Sequence, residues 1–209
     1  MCHGAYHNVI LNHNMKLYTA TAIRPTGKKP LEHIEFLLDG TPEYRWREVN
    51  DDVKNLKQPL DIPTPLPFKS KDLKFEELND YCWLRTVLTI PILNNKLIKH
   101  LSELYDYKFH QIPVTIENSK DASQLNTNFS AFYIHEYYDC IDFKNSEPIN
   151  RNGVDYWEYN RSNFMDKENY PPLFRIKGIS TPFMHFTTDN GISAINSLNL
   201  KGAEFKKTS

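Results

Sequence analysis

Alternation is the first pattern along the chain. In the run MKLYTATAIR, Lys16, Tyr18, Ala20 and Ala22 share one face of an extended segment, and Leu17, Thr19, Thr21 and Ile23 share the other. That period of two predicts a strand. Pro25-Thr26-Gly27 ends it with turn chemistry. Leu31 to Leu38 fits a short helix or a strand, and Asp39-Gly40 marks a turn after it. Pro59, Pro63, Pro65 and Pro67 argue against both helix and central strand. They predict an extended connection, a linker or a strap over the core. Leu73 to Trp83 is polar with scattered apolar residues and shows no clear period. Thr86 to Ile90 is apolar and β-branched, which predicts a buried strand.

The clearest helix spans Leu93 to Tyr105, with Leu93, Leu97, Leu101 and Leu104 on one face and Asn94 or Asn95 able to cap it. Phe109 to Glu117 reads as a strand in which Pro113 marks an edge or a bulge. Asn118 to Asn128 reads as a polar loop, and Phe129 to Phe143 as one long strand. Neither parity of that strand is purely apolar, so one end is expected to leave the core. Leu173 to Gly178 and Pro182 to Phe186 pair as a hairpin. Thr187 or Thr188 caps a last helix carrying Ile192, Ile195 and Leu198; Asn199 supplies a left-handed stop, and Ala203 to Lys206 forms a closing strand. The predicted class is α+β: a mostly antiparallel sheet with two or three short amphipathic helices packed on it. Residues 1–14 read as a flexible leader, 15–85 as a β-rich part with the proline strap at 59–67, and 86–209 as an α+β core that forms one compact domain with the preceding part.

Composition narrows the function classes. The chain has 209 residues, of which 13% are aromatic, too many for a disordered chain. Its 25 basic and 26 acidic residues leave a net charge of −1. That balance argues against a general nucleic-acid binder and against an acidic nucleic-acid mimic. Cys2, Cys82 and Cys140 are too scattered for a disulfide framework or a metal knuckle. The first residues lack a secretory signal, and the longest apolar-rich run, Thr86 to Leu93, is too short to span a bilayer. We expect a soluble cytoplasmic protein with reduced thiols. His3, His7 and His13 read as scattered tail residues rather than metal ligands.

No nucleophile elbow, phosphate loop, zinc-protease helix or dinucleotide fingerprint is present. Asp139 and Asp142 fall on opposite faces of the predicted strand, as do His135 and Cys140, so neither pair forms a shared site. Cys140 reads as structural, and His185 as a packed strand residue. Aromatic residues beside acids stand out: Tyr137-Tyr138-Asp139 with Asp142, and Tyr156-Trp157-Glu158-Tyr159. Large amphipathic side chains of this kind are enriched at protein interfaces.

The second half also carries a series of short motifs. In order they are Ile112-Pro113-Val114, Asp139-Cys140-Ile141-Asp142, Leu173-Phe174-Arg175-Ile176-Lys177-Gly178, the helix at Ile192–Leu198, and Leu200-Lys201-Gly202-Ala203-Glu204-Phe205. This series resembles the bacterial polymorphic-toxin immunity proteins of family eleven and the related family forty-three. The resemblance covers roughly residues 86–209, and the earlier part matches only through MKLYTATAIR. It implies a non-enzymatic protein that binds a cognate toxin, encoded by a neighbouring gene, and occludes its active site. No cofactor, metal, nucleic-acid partner or membrane association is expected. The expected contact residues are Tyr137, Tyr138, Asp139, Asp142, Tyr156, Trp157, Glu158 and Tyr159. The alternatives are a structural or adaptor protein of a secretion or phage-like system, and a small-molecule-binding α+β protein.

Overall fold

A computed structural model of the chain describes residues 16–23, 33–37, 64–86, 90–151, 153–165, 167, 169–179 and 184–208. In chain order the elements are β1 (Leu17–Ala22), β2 (Ile34–Phe36), β3 (Leu66–Ser70), a 3-10 helix (Phe75–Asp80), β4 (Trp83–Leu84), β5 (Ile92–Asn94), α1 (Asn95–Leu104), β6 (Phe109–Asn118) and β7 (Asp121–Ile134). Then follow β8 (Tyr137–Tyr138), β9 (Ile149–Arg151), β10 (Val154–Tyr156), β11 (Arg175–Ile176), β12 (His185–Thr188), α2 (Asp189–Asn196) and β13 (Ala203–Lys207). Strands dominate and the helices are few, so the class is α+β.

Six strands form the main sheet in the order β2-β3-β6-β7-β5-β4. It is a mixed sheet: β3 runs parallel to β6, and the other pairs are antiparallel. The sheet curls until its two ends meet. The N–H groups of His33 and Ile34 reach the Arg85 carbonyl at 2.9 and 3.3 Å, and the Arg85 N–H donates to His33 Nδ1 at 3.1 Å. All six strands point into one apolar cluster, with Ile34, Phe68, Leu84, Ile92, Val114 and Phe129 among its members. A second sheet, β12-β1-β13, is antiparallel and joins the first and last described strands. A second apolar cluster holds α1 and α2 through Leu97, Ile98, Leu101 and Ile195, together with Ala20 of β1 and Phe132 and Ile134 of β7. The C-terminal half of β7 is therefore buried on both faces: Phe129, Ala131 and Tyr133 enter the first cluster, and Phe132 and Ile134 the second.

Local signals placed several ends correctly. Asn94 caps α1, its side chain accepting from the Lys96 N–H at 3.0 Å. Thr188 caps α2 by accepting from the Gly191 N–H. Asn199 has φ of 53°, the left-handed stop expected of it. Pro113 sits just before the first residue of β6 that pairs with β3, where its missing donor faces no strand, and a register shift follows between Val114 and Ile116.

Other expectations give way. Pro67 lies inside β3, between β2 and β6, where a central strand was excluded. The sheet tolerates it because the Pro67 carbonyl faces β2 and accepts from the Leu37 N–H at 2.9 Å. The absent N–H points the same way, just past the end of that short strand. Pro59 and Pro63 lie outside the described residues. Leu73 to Trp83 contains a 3-10 helix that buries Leu78. The strand expected at Thr86–Ile90 falls partly outside the described residues; the strand seen is β5, beyond Pro91, and it takes Leu93 from the helix. The polar loop at Asn118–Asn128 is instead a turn at Ser119-Lys120 followed by the exposed start of β7. Its polar residues hid a strand that protrudes into solvent on both faces. The long strand at Phe129–Phe143 stops at Ile134, opposite the start of β6 at Phe109; one more backbone bond, from the His135 N–H to the Lys108 carbonyl at 2.9 Å, follows it. The chain then changes partners, and β8 pairs parallel with β11. The hairpin expected around residues 173–186 survives as a Phe174–Phe186 antiparallel bridge. Residues 1–15 lie outside the described region.

Candidate interaction site

The region after β7 holds all eight contact residues expected from the sequence, but it divides them among different surroundings. On β8, adjacent side chains point to opposite faces. Tyr137 turns toward Arg175, which is 1% exposed despite its charge. The guanidinium lies between two rings, 4.7 Å from the centre of Tyr133 and 4.0 Å from that of Tyr137. Its Nη1 donates to the Ile134 carbonyl at 2.8 Å, and its Nη2 donates to the Tyr137 hydroxyl. Stacking on π faces offsets part of the lost hydration. Burial pushes the Tyr137 phenol up, against the pull of the Arg175 charge. Beside this stack, His110 Nδ1 and His135 Nε2 share a hydrogen bond at 3.0 Å. Burial, then the neighbouring charges of His110 and Arg175, hold His135 below the ordinary imidazole range. The outcome is a polar plug in the sheet end that favours neutral histidine.

Tyr138 points the other way, into a third apolar cluster containing Leu17, Cys140, Ile141, Phe174, Ile176 and Phe186. Its ring lies against Tyr170 and Phe174, and its hydroxyl meets that of Tyr105. Burial raises its phenol well above the ordinary value. Trp157 and Tyr159 pack against the same cluster. Tyr159 approaches Phe186, and Trp157 meets Phe143 edge-on with ring centres 4.7 Å apart. The Trp157 Nε1 is buried without a hydrogen-bond partner among the described residues. Sequence reasoning treated these tyrosines and the tryptophan as one surface; three of them serve the core.

Residues 139–165 form an excursion outside the two main sheets. Asp142 N–H donates to the Asn163 carbonyl at 2.9 Å, Asn163 N–H to Ser146 Oγ at 2.8 Å, and Met165 N–H to the Cys140 carbonyl at 2.8 Å. An Ile141–Phe164 bridge and the β9–β10 hairpin complete it. Asp142 is not on a strand. Its carboxylate accepts from the Asn145 side chain at 2.6 Å, and that bond holds the carboxyl below its usual range. Asp139 is exposed, and Glu158 is half-buried. The exposed apolar side chains here are Phe143 at 47%, Tyr156 at 38% and Met165 at 38%, with Tyr137 at 44% beside the arginine stack. The sequence reading missed Phe143 and Met165. The strand parity at Phe143 was unreadable because no regular strand exists there.

The remaining candidates are packed groups. Cys140 and Cys82 are free and buried, and burial pushes both thiols up to about 11. That disfavours the thiolate that nucleophilic chemistry needs. His185 is buried with its ring edge-on to Trp83 at 5.9 Å. Among the described residues no three His, Cys, Asp or Glu side chains converge as a metal-ligand set, and no helix is long and apolar enough to cross a membrane. No family model matches the chain, and no curated protein matches it in sequence.

Proposed function

We propose that the protein is an immunity protein, which binds a cognate bacterial toxin domain and blocks its active site. The motif series between Ile112 and Phe205 supports this reading through its resemblance to immunity families eleven and forty-three. One structural observation carries it on independent grounds. Of the eight large apolar side chains exposed among the described residues, four (Tyr137, Phe143, Tyr156 and Met165) lie between residues 137 and 165 of the chain. Concentrated apolar exposure rimmed by polar groups is the usual mark of a protein-binding surface. Occlusion needs no chemistry from this chain: exposed aromatics would anchor the complex, and charged groups around them would guide encounter.

The test is co-expression with the C-terminal domain encoded by the neighbouring gene. The expected result is restored growth of the host and recovery of a one-to-one complex. Continued toxicity with no co-purification would remove the reading. Tyr156→Ala is the cleaner probe of a contact than Trp157→Ala, because Trp157 also packs against the core. A hot spot at Tyr156 would cost about 2 kcal/mol of binding.

A further inference from the structure

Two histidines meet at the end of the β6–β7 pair, just before the chain enters β8. The rings of His110 and His135 stand nearly edge-on, with 5.0 Å between centres and 81° between planes, and His110 Nδ1 and His135 Nε2 share one hydrogen bond at 3.0 Å. Such a bond needs a lone pair on one of the two nitrogens. It survives with both rings neutral or with one extra proton between them, and it breaks when both rings are cations.

The pair leans on the arginine stack. The Tyr133 ring is the common wall, 4.9 Å from the His135 ring on one side and 4.7 Å from the Arg175 guanidinium on the other. The guanidinium lies 4.0 Å from the Tyr137 ring and donates to its hydroxyl. Tyr137 is therefore 44% exposed and yet held at both ring and hydroxyl. Lys108 and Glu136 flank the histidines along the chain and close on each other at 3.5 Å, so their charges offset each other. The groups that act on His135 are then His110 from β6, Tyr133 from β7, Tyr137 from β8 and Arg175 from β11. A proton gained by either ring sets a second cation beside a buried one, with little water to screen it.

We infer that the His110–His135 pair is a proton-sensitive latch on the Arg175–Tyr137 stack: neutral, it keeps Tyr137 set as an anchor for the partner; charged, it drives Arg175 off the stack and frees the ring. This rests on the immunity reading for the identity of the partner, whereas the latch itself belongs to the free chain. An anchor already fixed in place binds more tightly because its ordering cost has been met. A partner that needs the fixed form binds in proportion to the fraction of chains that hold it. Burial, then the charges of His110 and Arg175, keep His135 below the ordinary 6.5, so the latch is closed above that pH and opens as pH falls below it.

Two measurements test it. In the first, ring resonances of isotopically labelled histidine and tyrosine are followed in the free, full chain from pH 8 to pH 5. The Tyr137 phenol is raised above its ordinary 10, so it does not titrate in this range and its ring reports its neighbours. The expected result is that Tyr137 and His135 move with one midpoint below 6.5, while Tyr159, packed on Phe186 in the third cluster, stays fixed. Tyr137 resonances that do not move, or that move only together with those of Tyr159, overturn the inference, and this arm needs no variant. In the second, binding of the neighbour-encoded domain is compared at pH 7.5 and pH 5.5 for the wild type and for His110→Gln/His135→Gln, with circular dichroism confirming the fold. The wild type is expected to lose about ten-fold more affinity than the variant over that interval, and the difference cancels any titration of the partner. Equal losses in the two chains overturn the control of binding and leave the immunity reading standing. Absence of any complex at either pH removes the immunity reading, and the ring titration still decides the latch.

Discussion

Arg175 concentrates more interactions than any other side chain near the candidate site. Its guanidinium bridges Ile134 of β7 and Tyr137 of β8 and is covered by two rings. Lysine cannot reproduce a planar ion held between aromatic faces. Arg175→Met leaves the Ile134 carbonyl without this donor, and we expect a loss of about 3 kcal/mol in urea unfolding, with Arg175→Lys recovering less than half. Nothing in the chain order signals this role, because Arg175 sits in a short apolar run where charge suggests exposure. His33 is the second informative residue. It is buried, accepts from the Arg85 N–H through Nδ1, and is held below the ordinary 6.5 by burial and then by the Arg85 charge, with Asp72 opposing. His135 is lowered as well. As pH falls below about 6.5, the unfolded chain takes up protons that the folded histidines refuse, so stability falls with pH until the folded values are reached. His33→Asn keeps an acceptor near Nδ1 and removes the titration. Unfolding midpoints between pH 7 and 5 are expected to fall less steeply in that variant.

At the scale of elements, local chemistry and long-range packing contribute in different ways. Asn94 does two jobs: it caps α1 and donates to the Tyr81 carbonyl at 3.2 Å, and it is buried. Thr188 caps α2 through a longer bond of 3.4 Å. Asn94→Ala is therefore expected to cost about 2 kcal/mol and Thr188→Ala about 1 kcal/mol in thermal or denaturant unfolding. Equal losses at the two sites would show that the second bond of Asn94 adds nothing. Both caps were readable from the sequence to within one residue, because a cap lies within a few residues of the groups it satisfies. The start of β7 was not readable. Residues 121–125 are exposed, so no apolar alternation marks the strand, and only the turn at Ser119-Lys120 and the partner β6 create it.

At the scale of the molecule, the segment around Gly202 ties the two sheets together. Cys82 N–H donates to the Lys201 carbonyl at 2.6 Å, Lys201 N–H to the Asp80 carbonyl at 2.7 Å, and Ile23 N–H to the Gly202 carbonyl at 2.7 Å. Gly202 has φ of +100°, and a Cβ placed there would lie 2.7 Å from the Trp83 carbonyl oxygen. Gly202→Ala therefore combines backbone strain with a clash against main chain that cannot swing away. We expect a loss of at least about 2 kcal/mol, read as a lowered melting midpoint. Hydrogen exchange in the variant should rise first in β1 and β13.

The sequence by itself determined what depends on near neighbours: the strand at β1, the apolar face of α1 at Leu97 and Leu101, a cap at Asn94 or Asn95 and another at Thr187 or Thr188, the stop at Asn199 and the closing strand; Leu104, expected on the apolar face, is exposed. Only the tertiary structure decided what depends on distant ones. Alternation does not tell a strand which partner to take, so the parallel β3–β6 pair, the meeting of the sheet ends at His33 and Arg85, and the parallel β8–β11 pair were invisible along the chain. A strand buried on both faces loses its period, which is why β7 between Phe129 and Ile134 read as neither inside nor outside. The same limit governs the candidate site. Aromatic residues beside acids are visible in any sequence, but whether a ring turns to solvent, as at Tyr156, or into an apolar cluster, as at Tyr138, is set by what the rest of the chain places against it.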